Sequence, residues 1–281
     1  MFALYSHAAF SCRKRNVMNT QTELSFEVEG EAAGDTIVFV HGWPDDATLW
    51  RLQVAALKRK FRCVSVILPN FGATADLSGG CDFATLVDKL ARTIERVRVD
   101  ATPVALVTHD WGAYLGYMYE KKYPERVRKM VALDIGGHVK PASARDVLMM
   151  AGYQWILIGC WVVGGIVPQL GNWLTRKFAA LLRVPRLQAG RVRSRCNYPY
   201  FYLWRGILLP SARRKLLGYY KPACPVLFIY GGNKPLMFHS DRWLEILDAT
   251  SGRSECIAGG AHWFMETHPE EINALIDEWL G

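Results

Sequence analysis

The chain has 281 residues, of which 51% are apolar, 21% charged and 12% aromatic. That is enough chain to bury about three quarters of its surface in one large unit or two small ones, so disordered, collagenous and coiled-coil proteins are excluded and no disulfide or metal staple is needed. The net charge is +8, and the seven cysteines (12, 63, 81, 160, 196, 224 and 256) are odd in number with no CxxC pair, which argues against a secreted disulfide framework or a zinc site and for a reducing, cytoplasmic setting.

The first seventeen residues carry Arg13, Lys14 and Arg15 and no acid. They are too polar for a secretory signal, so residues 1–21 are expected to be an unstructured extension, with mitochondrial targeting as the alternative. From residue 35 onward, short two-sided apolar runs suit buried parallel strands: Thr36–Val40, Cys63–Leu68, Val104–Thr108, Met130–Leu133 and Val226–Tyr230. Between them lie helical patterns. After a cap at Asp82, for example, Phe83, Leu86, Val87, Leu90, Ile94 and Val97 form one stripe. Strands alternating with helices predict an α/β fold, a mostly parallel sheet with helices on both faces.

The alternation stops over 138–222, an aromatic and basic stretch that reads as a helical lid inserted between two halves of the core, 22–137 and 223–281. Residues 147–175 carry no charge. They are expected to cover an apolar pocket, with docking on a membrane surface or a true span as alternatives; Gly159, Gly164, Gly165 and Pro168 speak against the span. Residues 176–195 then carry seven basic side chains and no acid, expected to be a solvated face; nothing points to nucleic acid.

The most specific feature is Val104–Gly116, a buried strand running through Thr108-His109-Asp110-Trp111-Gly112 into a helix. This is the strand–turn–helix of a nucleophile elbow, with Asp110 at the helix N-terminus where serine hydrolases carry serine; Thr108 is bulkier than the usual glycine. After the strand at 36–40 comes His41-Gly42-Trp43-Pro44-Asp45, whose Trp43 N–H can pair with that of Trp111 to hold an oxyanion. Trp43–Pro44 is a candidate cis peptide. His262, in Gly259-Gly260-Ala261-His262-Trp263, comes last in chain order, as a catalytic base does in such folds. His41 and His109 are expected to shape the turns, and His138, His239 and His268 to cap or lie on the surface.

With these motifs in this order, the chain resembles the α/β-hydrolase superfamily, in particular its epoxide hydrolase and haloalkane dehalogenase branch, over residues 22–281. The resemblance implies an aspartate nucleophile, Asp110, and a histidine base, His262, working without cofactor or metal. The branch commonly carries its acid after the strand here at 226–230, but Gly231-Gly232-Asn233-Lys234 has no carboxylate. A subset carries it one strand earlier, which points to Asp134. Asn70, where the superfamily often has aspartate, is expected to be structural.

Two lid tyrosines that protonate an epoxide oxygen are also implied; the candidates are Tyr153 and Tyr202, with Tyr198 and Tyr200 as substitutes lining the substrate. A halide would instead need two N–H donors, of which Trp111 offers one. The expected activity is hydrolysis of a small hydrophobic epoxide to a diol through an aspartyl ester. A dehalogenase, or a degenerate chain that binds a small ligand without turnover, is the alternative. Peripheral membrane contact through the lid is a further expectation; the oligomeric state is left open.

Overall fold

The computed structural model describes residues 14–16, 22–30, 33–74, 76–185 and 191–281. Eight strands form one sheet: β1 (Lys14–Asn16), β2 (Ser25–Gly30), β3 (Thr36–Val40), β4 (Arg62–Ile67), β5 (Val104–His109), β6 (Val127–Leu133), β7 (Val226–Gly231) and β8 (Arg253–Ile257), in the spatial order β1-β2-β4-β3-β5-β6-β7-β8. β2 runs antiparallel to both its neighbours, β1 and β4, and β3 to β8 pair in parallel. This is the expected α/β fold. Three residues of the expected N-terminal extension, 14–16, instead pair with β2 and cover its open edge; the remainder of 1–21 lies outside the described residues.

The central strands are hydrophobic on both sides because helices cover both faces. On one face Val38, Val40, Leu106, Ala132 and Phe228 pack under α2 (Phe83–Val97) and α3 (Trp111–Lys122). On the other, Ile37, Phe39, Val107, Val131 and Ile229 meet α1 (Arg51–Leu57) and the last helix, Pro269–Leu280. α2 begins where expected, the Asp82 carboxylate accepting the Thr85 N–H at 2.9 Å. Its Leu90 and Ile94 are fully buried, worth roughly 1.5–3 kcal/mol each.

None of the described residues between 138 and 222 lies in a strand. They form α4 (Ala144–Ile166), α5 (Pro168–Leu181), α6 (Tyr198–Leu208) and the single turn α7 (Pro210–Arg213). The basic run is only partly helical: Arg193 and Arg195 pair with Asp76 at 2.8 and 2.7 Å, tying this stretch to the loop after β4. After β7 come α8 (Asp241–Asp248), the short α9 (Phe264–Thr267) and α10 (Pro269–Leu280).

Register sets the site. Val40 pairs with Thr108, Thr108 with Ala132, and Ala132 with Phe228. The chain therefore leaves β3, β5, β6 and β7 at nearly one level, and the segments carrying Trp43, Asp110, Asp134 and Lys234 emerge side by side at the carboxyl edge, where parallel sheets place their ligand sites.

Candidate active site

Asp110 sits at the elbow between β5 and α3 with φ 53°, a left-handed conformation that costs a non-glycine residue about 1–3 kcal/mol and persists only where its surroundings hold it. The neighbouring glycines make room. A side chain on Gly112 would overlap the Val40 carbonyl, and one on Gly42 would overlap the Asp110 carboxylate and the Trp111 nitrogen. Thr108 is accommodated because its methyl group faces Gly116 while its hydroxyl points to the Val131 carbonyl at 3.3 Å.

The Trp43 N–H donates to Asp110 Oδ1 at 2.6 Å, and the Trp111 N–H also bonds this carboxylate. Burial pushes the Asp110 carboxyl above its ordinary range, against the pull of His262 and these two N–H groups. The Trp43–Pro44 bond is cis.

His262 lies between two carboxylates, Nε2 at 3.7 Å from Asp110 Oδ2 and Nδ1 at 2.5 Å from Asp134 Oδ2. Asp134 is fully buried. Its Oδ1 accepts the Gly231 N–H at 3.3 Å and forms an ion pair with Lys234 Nζ. Burial alone would raise the Asp134 carboxyl, but the hydrogen bond and charge of His262 and the charge of Lys234 outweigh it and bring it down to about 2. Its contribution to stability is present above the ordinary value of 3.8 and is lost as the pH falls through about 2.

Behind this row, His109 Nε2 lies 3.0 Å from the His262 carbonyl. A carbonyl only accepts, so Nε2 carries the proton and His109, whose buried ring is pushed well below its ordinary pKa, is neutral. Its Nδ1 is 3.9 Å from buried Asp45, which accepts the Trp263 indole N–H at 3.1 Å and is pushed well above the carboxylate range by burial. His41 accepts the Leu68 N–H at 3.1 Å and fixes a turn, as expected. Asn70 is also structural, bonding the Leu77 backbone in both directions.

The tyrosine assignment needs correction. The Tyr200 ring lies 5.1 Å from Trp111, 5.9 Å from Trp43 and 5.9 Å from Tyr153, and Asp110 raises the pKa of both phenols further after burial has done so. Tyr202 donates to the Gly79 carbonyl at 3.1 Å and lines a surface cleft of about 610 Å³ whose walls include neither Asp110 nor His262. Tyr198 packs against Phe71. The reason is helical phase: 198 and 202 share one face of α6, and 200 is turned roughly half a circle away, toward the elbow. The structure thus groups Tyr153 and Tyr200 with Asp110, and leaves Tyr198 and Tyr202 outside.

Three further residues belong to this arrangement. Lys234 stands where a carboxylate was sought. Asp45 was visible only as the end of a motif. Asn197, which no sequence signal marks, accepts the Trp43 indole N–H at 2.8 Å and donates to Leu157 O and Thr175 Oγ1, both at 3.1 Å.

An aspartate in a strained elbow, two N–H donors on its carboxylate, and a histidine held between it and a second aspartate form an arrangement able to serve nucleophile–base–acid hydrolysis on an α/β sheet. The chain belongs to the alpha/beta hydrolase family, which it matches over residues 37–275. Within that family it falls in the branch of epoxide hydrolases and haloalkane dehalogenases. It is 33% identical to an epoxide hydrolase of Neurospora crassa, over 87% of this chain and 86% of that protein. It is 27% identical to a haloalkane dehalogenase of Sphingobium indicum, over 88% of each. Among solved structures, epoxide hydrolase A of Mycobacterium thermoresistibile shares the fold, with a TM-score of 0.72 and 17% identity over 96% of this chain and 98% of that one.

Proposed function

We propose that this hydrolase opens a small hydrophobic epoxide to a vicinal diol through an ester on Asp110. The observation that carries the reading is the pair of buried phenols, Tyr153 and Tyr200, beside the Asp110 carboxylate. Asp110 Oδ2 attacks an epoxide carbon while Oδ1 stays with the two N–H groups. The carbon–oxygen bond breaks, and the leaving oxygen takes a proton from one of the two phenols. Burial keeps both phenols protonated through neutral and mildly alkaline pH, so they remain acids where the enzyme works.

Water then gives a proton to His262 Nε2 and adds to the Asp110 carbonyl carbon. The negative charge collects on Oδ1, which already accepts the Trp43 N–H, with the Trp111 N–H on the same carboxyl group. Collapse expels the diol oxygen, which takes the proton from His262. The second proton of the water returns to the tyrosine. Helices α4–α6 act as the lid over this chemistry, and neither metal nor cofactor enters any step.

The Trp111 indole N–H, set beside the Tyr200 phenol, favours a second reading, release of a halide from a haloalkane. Against it, the Trp43 indole is already taken by Asn197, so the second halide donor is missing. A degenerate binding protein is disfavoured by the contacts that join Asp110, His262 and Asp134.

The test is the intact mass of His262→Gln protein after exposure to a panel of epoxides and haloalkanes. The expected gain is one whole epoxide, absent when Asp110→Asn is added; a gain of an alkyl group alone would reassign the enzyme as a dehalogenase, and no adduct with any epoxide would count against the reading. Gly42→Ala, which crowds the Asp110 carboxylate, is expected to lower kcat at least about 100-fold by displacing a donor. Unchanged steady-state kinetics would remove this loop from the oxyanion role.

A further inference from the structure

The outer face of the helical insertion is apolar and uncovered. On α4, Leu148, Trp155, Val162 and Ile166 recur on one stripe and are 75%, 47%, 50% and 79% exposed; α5 continues it with Leu170 and Trp173, 46% and 55% exposed. Soluble helices turn such a stripe inward. α4 is long and apolar enough to cross a membrane, with a mean hydropathy of 1.6. Its opposite face is committed, however: Gln154, Leu157 and Ile158 are buried, a side chain on Gly171 of α5 would overlap the Gly164 backbone, and one on Gly164 would overlap Ser194. The helix is therefore built to lie flat.

Charge identifies what it lies on. From Val147 to Ser240 the sequence contains no Asp or Glu. Arg176, Lys177, Arg183, Arg213 and Arg214 are all exposed on the same insertion, and Lys177 sits over the Trp173 ring at 5.9 Å. A second copy would set two basic rims against each other, whereas anionic headgroups neutralise them.

We propose that the insertion docks the protein flat on an anionic lipid bilayer, with the α4–α5 stripe at the boundary of headgroups and acyl chains and the basic residues among the phosphates. The proposal stands apart from the epoxide reading, because binding is read without turnover. Full-length protein is sedimented with phosphatidylcholine vesicles with and without phosphatidylglycerol. Binding to the mixed vesicles is expected, at least about tenfold stronger than to phosphatidylcholine alone and weakened by high salt.

The triple substitution Ile166→Ser, Leu170→Ser, Trp173→Ser is expected to lower binding at least about tenfold with an unchanged circular dichroism spectrum. Arg213→Gln with Arg214→Gln is expected to lower it by roughly fivefold per charge. Four results would overturn the proposal: no binding to either vesicle, equal binding to both, retention in alkaline carbonate as for a spanning helix, or a lipid-free dimer that the triple substitution splits.

Discussion

Replacing Asp134 by asparagine lowers turnover by about 10³-fold or more and the unfolding free energy by about 3–5 kcal/mol. The first loss arises because an amide holds the imidazole in the wrong tautomer and does not stabilise its charged form. The second arises because Lys234, with 4% of its side chain exposed, is left as a buried charge without its partner. The two are separable. Adding Lys234→Met returns most of the stability and none of the activity, as urea titration and steady-state kinetics on the same proteins will show. If stability does not return, the Asp134–Lys234 pair is not what the single variant breaks.

Lys234→Met alone has a different signature. The Lys234 charge helps hold the Asp134 carboxyl down to about 2. Without that cation the Asp134 carboxyl rises, and the acid arm of the stability-against-pH profile moves to higher pH. A profile that does not move would make Lys234 a packing residue.

The second large effect concerns the phenols. Tyr153→Phe and Tyr200→Phe each slow adduct formation in single-turnover mixing by about 10²-fold, and the double variant by about 10⁴-fold, because these two phenols are the acids grouped with Asp110. Tyr202→Phe, whose hydroxyl is spent on Gly79, is the control and changes the rate less than about twofold. If Tyr202→Phe slows the alkylation and Tyr200→Phe does not, the assignment reverses. Release of halide from a haloalkane needs no proton and would survive all three substitutions.

These residues also show what a sequence can disclose. The central strands were legible because burial on both sides leaves unbroken apolar runs. β2 and β8 were not: SFEVEG buries Glu27 and RSECI exposes Cys256, so polarity does not track burial in these short strands away from the sheet centre. Asp134 followed from the family resemblance, which places the acid one strand earlier in a subset of the branch, and the strand, helix, strand return to one sheet edge suits it. The Tyr200 position did not follow, because in Asn197–Trp204 three tyrosines alternate and only the rotation of α6 decides which one faces inward. Lys234 was visible as a missing carboxylate, but its role as counter-ion depends on an atom at the end of the neighbouring strand. The run at 147–175 was plainly apolar, yet hydropathy carries no direction, and its stripe faces outward as much as in.

Asn197 links parts that a reaction cycle would otherwise treat separately. One side chain grips the indole of Trp43, the backbone of α4 at Leu157 and the hydroxyl of Thr175 on α5. The loop whose Trp43 N–H holds Asp110 is thus tied to both long helices of the insertion. Any displacement of those helices from the sheet would be carried to the elbow through this one side chain.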